Sequence, residues 1–398
     1  MKILVINAGS SSLKYQLFDM TTGDVLVKGL CERIGAGGEI THRRPGAEPY
    51  KTEADFPTHE EALAMVLDLL VSREHGVIES IDEIGAVGHR VAHGGEKYKQ
   101  STPIDDEVIN YLETIVPINP LHGPPAIKGM KACRRLMGDT PQVGVFDTSF
   151  YSSMEDFRTI YPIPYELYEE NKIRRYGFHG TSHRYVSAKA AEVLGKPIEE
   201  LKIVTCHLGN GSSITAVDKG VAIDTSMGFT PQEGVPMGTR SGTIDPTVIP
   251  YIMKAKNLTV DEVEDLLNRK SGLLGVSGIS NDNRNVAKAA SEGNYRAQLA
   301  IKILTNSIKK IIGSYVAELN GIDVLVFTAG IGENDNALRS AVCGNMDFFG
   351  IAIDEELNAN LPSGNVNISA KGAKVQTMVI PTDEEYMIAL DTAKFCKE

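Results

Sequence analysis

Short apolar runs rich in Ile and Val recur along the chain, and each tends to stop at Gly, Asn, Asp or His. Runs of this length, bounded by turn residues, predict buried strands at 2–6, 84–88, 143–146, 203–206, 322–329 and 375–381. Between them, apolar positions return at helical spacing. Leu299, Ile303, Leu304, Ile308, Ile311, Ile312, Tyr315, Val316 and Leu319 draw one amphipathic helix over 295–319 that leads into the strand at 322. Thr259 with Glu262, and Thr382 with Glu385, have capping-box spacing and predict two helix starts. Strands alternating with helices imply an α/β architecture, in which sites are built where strands end.

One pattern occurs twice. The strand at 2–6 leads into Asn7-Ala8-Gly9-Ser10-Ser11-Ser12 and re-enters β-prone sequence at Leu13 to Phe18. The strand at 203–206 leads into His207-Leu208-Gly209-Asn210-Gly211-Ser212-Ser213 and re-enters at Ile214 to Val217. Strand, Gly/Ser turn, strand, placed about 200 residues apart, suggests a duplicated domain with two hairpins facing a shared cleft.

The composition narrows the class. The chain has 398 residues, enough for two or three domains, and no apolar run approaches the roughly 20 residues that cross a bilayer. A net charge of −12 disfavours nucleic acid and anionic lipid as partners. Five scattered cysteines form no CxxC pair and suggest neither a disulfide framework nor zinc, so a reducing, cytoplasmic location is expected. The apolar start, ending at Asn7, is too short for a signal peptide.

The residues that could do chemistry lie in loops. No Walker A loop is present, because Gly195-Lys196 runs into Pro197, and both Gly-rich turns at 209 and 330 lack the third Gly of a dinucleotide fingerprint. The two Gly/Ser turns still suit phosphate, through backbone N–H groups, Ser hydroxyls and Lys14, although either alone is more often just a plain hairpin. Phe327-Thr328-Ala329-Gly330-Ile331-Gly332-Glu333-Asn334 offers a backbone that a flat group such as a purine can approach, or simply the start of a helix. Arg90 and His93 close a strand, and Arg240 is isolated between Gly238 and Gly242, where a guanidinium suits a carboxylate or phosphate. His122 and His179 are flanked by small or rigid residues and look positioned, with no HxH or HExxH zinc spacing. Asp147 at a strand end and Glu384 in the first turn of the last helix are carboxylates able to hold Mg²⁺ directly or through water.

Together these segments resemble the acetate kinases, carboxylate kinases of the sugar kinase, heat-shock and actin superfamily. The resemblance runs through Asn7 to Lys14, Gly88 to Gly95, Asn119 to His122, Phe146 to Ser149, Gly177 to His183, His207 to Ser213, Gly238 to Arg240 and Thr328 to Asn334. It implies two duplicated ribonuclease H-like (actin-like ATPase) domains with a central nucleotide cleft. The first would span 1–150 and be closed by 383–398; the second, 151–382, would carry the nucleotide and the dimer side. The implied reaction is reversible, Mg²⁺-dependent phosphoryl transfer from ATP to acetate, with Mn²⁺ able to substitute, in a homodimer.

The same resemblance implies roles. Asn7 and Glu384 place the metal; Lys14, Ser10 and Ser12 serve the nucleotide phosphates. Arg90 holds the acetate carboxylate, and Ala92, Leu121, His122, Phe178 and Pro231 surround the acyl group. His179 and Arg240 bind the phosphoryl group in flight. His207, Leu208, Gly209, Asn210 and Gly211 cradle phosphates, with Asp282, Asn283 and Arg284 and Gly330, Ile331, Gly332, Glu333 and Asn334 around the adenosine. An acceptor carboxylate is already ionised and needs no base, so Asp147 is expected to orient an arginine or the metal water. Ala92 stands where acetate kinases commonly carry Val and resembles the smaller residue of propionate kinases, which makes a propionate or broad short-chain carboxylate kinase the alternative. Asp383 stands where Asn is usual. A nucleotide-binding switch would not need cations converging beyond the γ-phosphate, and a sugar kinase would need a carboxylate base near a neutral hydroxyl.

Overall fold

Each predicted strand forms, and each belongs to one of two sheets in a computed structural model that describes residues 1–396. The chain divides into two units: Met1–Ser152 with the segment from Asp383 onward, and Ser153–Thr382. The last two residues of the expected closing segment 383–398 lie outside the described residues.

The first sheet contains β1 (Lys2–Ala8), β2 (Ser12–Asp19), β3 (Asp24–Glu32), β4 (Gly38–Arg43), β5 (Tyr50–Ala54), β6 (Ile84–Val91), β7 (Thr102–Pro103) and β8 (Gln142–Phe146), in the order 5-4-3-2-1-6-8-7. The second contains β9 (Lys202–Leu208), β10 (Ser212–Asp218), β11 (Val221–Thr225), β12 (Val324–Thr328), β13 (Val366–Asn367) and β14 (Gln376–Val379), in the order 11-10-9-12-14-13. In the first, β1, β2 and β3 are antiparallel neighbours, while β1, β6 and β8 run parallel. In the second, β9, β10 and β11 are antiparallel, while β9, β12 and β14 run parallel. The same five-strand pattern thus occurs twice, the duplicated architecture that the two Gly/Ser turns suggested.

Both faces of β1 are buried. Leu4 and Ile6 join a core with Leu63, Val66 and Leu70 of helix His59–Val71 and Ala132 and Cys133 of helix Gly123–Met137. Ile3 and Val5 join Val143, Val145 and, from the C-terminal helix Glu384–Phe395, Ile388, Ala389 and Ala393. That helix sits on the sheet because position 88 has no side chain: a Cβ at Gly88 would lie 2.5 Å from Thr392 Oγ1 and 2.7 Å from Ile388 Cγ2. Ser101 Oγ donates to Asp391 Oδ2 at 2.6 Å and ties the helix down further along.

In the second unit, helix Tyr295–Glu318 covers the sheet with Leu304, Ile308, Ile312, Tyr315 and Val316. The predicted stripe is displaced at its start: Ile303 is 38 % exposed, and Ala297 and Ala300 take the buried positions. The capping box at Thr259 forms as expected. The one at Thr382 does not. Asp383 is the N-cap, its carboxylate accepting from Tyr386 N at 2.9 Å, while the Thr382 hydroxyl pairs with Ser182 Oγ at 2.7 Å. A carboxylate is an equally good cap, and shifting the start by one residue makes Glu384 the first helical position.

Candidate active site

In the first unit, parallel β6 and β8 bring two side chains to the same sheet edge. Arg90 lies opposite Val145, and Asp147 follows two residues later. Arg90 donates to Asp147 Oδ2 from Nη2 at 2.8 Å and from Nε at 3.2 Å, and its Nε lies 3.7 Å from Glu384 Oε2. Asp147 is 1 % exposed. Burial and the negative charges of Asp147 and Glu385 push the Glu384 carboxyl up to about 7, against the pull of Arg90 and Lys14. Burial opposes the Arg90 charge, but Asp147 and Glu384 outweigh it and hold the guanidinium above its ordinary value.

Asn7, one residue before the end of β1, lies opposite Lys14 on β2. Between them Gly9 N–H donates to Ser12 O at 2.8 Å, and Ser10 is exposed on the turn. His59 Nε2 lies 2.7 Å from Gly9 O and braces that turn from the helix behind it. No sequence signal marks His59, because it reads as an ordinary helix start after Thr58. Ala92 follows β6 and is partly buried; Leu121, 50 % exposed, and His122 stand at the start of helix Gly123–Met137.

The second unit has its own group of candidate residues. The β9–β10 hairpin carries His207 and Leu208 at the end of β9 and Gly209 to Gly211 in its turn, with Gly209 N–H donating to Gly211 O at 3.1 Å. His179 precedes helix Gly180–Leu194 in a left-handed conformation, φ +57°, and stacks on His207 at 4.2 Å between ring centroids. A Cβ at Gly211 would lie 3.5 Å from both His179 Cε1 and Arg240 Nη1, so the turn passes directly against these two side chains. Arg240 donates to Pro231 O at 3.3 Å and contacts Met237 Sδ at 3.7 Å, with no carboxylate partner among the described residues. Burial holds its guanidinium below the ordinary value. Phe178 packs with Met227 and Met237. The loop carrying Pro231 is fixed by Arg175, which donates to Thr225 O at 2.7 Å and to Glu233 Oε1 at 2.8 Å, while Tyr161 bonds Glu233 and Phe229 N. Nothing in the sequence distinguished Arg175 or Tyr161 from surface residues.

The third glycine segment is a helix start: Thr328 is the N-cap of helix Ala329–Asn334, and Ala329 has φ +64°. A Cβ at Gly330 would meet nothing within 4 Å, whereas one at Gly332 would lie 3.6 Å from Cys206 O and 3.7 Å from Leu208 Cβ. Ile331 is partly buried here and Asn334 is exposed, its Nδ2 donating to Gly330 O at 2.9 Å. Glu333 Oε1 accepts from Thr382 N at 3.3 Å. Asn283 Nδ2 donates to Asp335 Oδ2 at 2.6 Å, which holds the Asp282 to Arg284 turn beside this helix, and Arg284 chelates Asp282 at its surface. Asn210 O accepts from Gly238 N at 3.2 Å and joins the hairpin turn to the Arg240 loop.

A duplicated fold of this kind, with cations rather than a catalytic base at its strand ends, defines a phosphotransferase for an anionic acceptor. The chain belongs to the acetokinase family, whose sequence profile matches residues 2–390. It is 55 % identical to the acetate kinase of Caldanaerobacter subterraneus subsp. tengcongensis, with 100 % of this chain and 99 % of that one covered. Among solved structures it is similar to Porphyromonas gingivalis acetate kinase, with a TM-score of 0.95 at 46 % identity, and to a propionate kinase from Francisella tularensis, with 0.92 at 39 %. Both matches cover 99 % of each chain.

Proposed function

We propose that the chain transfers the γ-phosphoryl group of ATP reversibly and in line to acetate, giving acetyl phosphate and ADP. The observation that carries this reading is Arg240, a partly buried arginine set against a glycine turn and His179, with no carboxylate among the described residues to neutralise it. Acetate, with a pKa in the usual carboxylate range, is ionised at pH 7, so the barrier is the approach of two anions rather than removal of a proton. Arg90 holds the acceptor carboxylate, and Asp147 fixes the Arg90 fork. His179 and Arg240 stabilise the transferring phosphoryl group. Lys14, Ser10 and Ser12 and the His207–Gly211 turn take the phosphates; the Asp282–Arg284 and Gly330–Asn334 segments take the adenosine. Ala92, Leu121, His122, Phe178 and Pro231 line the acyl group.

Asn7 and Glu384 are assigned to Mg²⁺, with Mn²⁺ as a substitute. Among the described residues no three His, Cys, Asp or Glu form a ligand group, which suits a cation that keeps most of its waters and takes one or two protein oxygens. The donor chemistry fits: Glu384 is crowded by Asp147 and Glu385, and a dication beside it relieves that repulsion. Bound Mg²⁺ would neutralise phosphate charge. Exposed Phe157, Tyr165, Tyr251 and Val260 give the second unit apolar area for a homodimer. Five free cysteines, with no described helix long and apolar enough to cross a membrane, support a cytoplasmic setting.

Ala92 favours a second reading, a kinase of broader short-chain carboxylates, because a smaller side chain leaves room for a methylene. One methylene in a pocket is worth about 1–3 kcal/mol, so relaxed selectivity is expected before a switch. Hydroxylamine trapping of acyl phosphate from ATP and Mg²⁺ with acetate, propionate or butyrate decides. The highest kcat/KM for acetate supports the first reading, a clear propionate preference the second, and no product from any acid rejects both.

A further inference from the structure

Behind His179 lies a buried string of hydrogen bonds. His179 Nδ1 is 2.8 Å from Ser213 Oγ, Ser213 Oγ is 2.7 Å from His183 Nε2, and His183 Nδ1 is 2.6 Å from Thr205 Oγ1. Ser213, His183 and Thr205 are fully buried. The Ser213 and Thr205 hydroxyls have no other hydrogen-bond partner among the described residues. Burial, with the nearby His207, holds His183 well below its ordinary value, so its ring is neutral.

A hydroxyl has one proton to give, and a neutral imidazole has one donor and one acceptor nitrogen. With His179 also neutral, only one wiring of the string gives every proton an acceptor. In the outward direction Thr205 O–H donates to His183 Nδ1, His183 Nε2–H donates to Ser213 Oγ, and Ser213 O–H donates to His179 Nδ1. The proton of His179 then sits on Nε2. In the inward direction every bond reverses, and the Thr205 hydroxyl proton is left with no acceptor in a dry interior. Leaving a buried donor unpaired favours the outward wiring by about tenfold or more.

We propose that Thr205 and His183, acting through Ser213, are positioning residues that fix His179 as the Nε2–H tautomer, a neutral donor for an anion. The proposal rests on the reading of His179 as a phosphoryl-binding residue. Its chemical sense is that transfer between a carboxylate and ADP moves no proton, so the donor should be the same in both directions of the reaction. Protonating His179 at Nδ1 would require Ser213 to accept from it and would leave a buried hydroxyl proton, that of Ser213 or of Thr205, without an acceptor. His207 stacks on the same ring, and Arg240 lies across Gly211 from it.

The test is long-range ¹H–¹⁵N correlation on the full chain labelled at histidine, with His179 assigned by its loss in His179→Asn. The wild-type ring is expected as Nε2–H at pH 7; an Nδ1–H ring overturns the proposal with no variant needed. Thr205→Val keeps the shape and removes the donor, so it should give a mixture of tautomers and about a tenfold fall in kcat, with KM for acetate and ATP within twofold. Thr205→Ser should restore both. A pure Nε2–H ring in Thr205→Val also overturns it. Undiminished turnover of His179→Asn would instead reject the phosphoryl role of His179, an outcome separate from the tautomer result.

Discussion

Asp147 is the residue whose chemistry is easiest to misread. A buried carboxylate beside the acceptor site looks like a general base, yet it accepts two hydrogen bonds from the Arg90 guanidinium. Asp147→Asn keeps an acceptor and removes the charge, so it should lower kcat/KM for acetate by about ten- to a hundredfold, a loss of 1.4–2.7 kcal/mol, without the sharp pH dependence of a lost base. Steady-state kinetics from pH 6 to 9 would check this; near-normal turnover would reduce Asp147 to a minor role. At this scale the sequence was informative where loops isolate a side chain. Arg240 between glycines, His179 after Gly-Phe and Arg90 at a strand end were all visible. His59, Arg175 and Thr205 were not, because each acts through a partner distant in sequence and resembles an ordinary helix, loop or strand residue.

At the scale of elements, strands and hairpins were legible because their signal is local: a buried run followed by Gly and Ser. The caps and braces depend on tertiary partners. Thr382 illustrates this, since its hydroxyl is taken by Ser182 and the helix starts on Asp383 instead. Arg339 is the largest such omission. It is 1 % exposed and donates to Gly332 O and Glu333 O at 2.9 Å, and to Asn358 Oδ1 at 2.7 Å and Asn358 O at 3.1 Å. It thereby caps the short Ala329–Asn334 helix from the C-terminal side. Arg339→Met would leave those acceptors buried and unpaired and should destabilise the protein by about 3 kcal/mol. A lowered denaturant midpoint with an unchanged m-value is the expected observation.

Across the whole molecule, buried histidines set the response to acid. Burial holds His89 and His93 down to about 4, the Gln142 contact of His89 working weakly the other way. Below about 6.5 the unfolded chain takes up protons that the folded one refuses. The stability they contribute is therefore complete above 6.5 and lost as pH falls toward 4, about 3 kcal/mol for each ring. Glu384, pushed up to about 7, opposes this between about 4.5 and 7 by binding its proton more readily when folded. His93→Asn retains an acceptor for Gly95 N–H, which bonds Nδ1 at 2.9 Å, and should flatten the acid limb of a stability–pH curve by about the contribution of one histidine. An unchanged limb would mean that His93 is protonated in the native protein.

The C-terminal helix occupies the face of a sheet whose strands were made at the other end of the chain. During synthesis, the first eight strands therefore emerge with Ile3, Val5, Val143 and Val145 uncovered, and Arg90 and Asp147 await Glu384 while roughly 240 further residues are translated. At about 5–20 residues per second, that interval is on the order of ten to fifty seconds. Unit two can close on its own schedule, but unit one is finished only once the segment from Asp383 has left the ribosome. A nascent chain stalled before Asp383 should be readily cleaved in its first 150 or so residues, and the released protein should not.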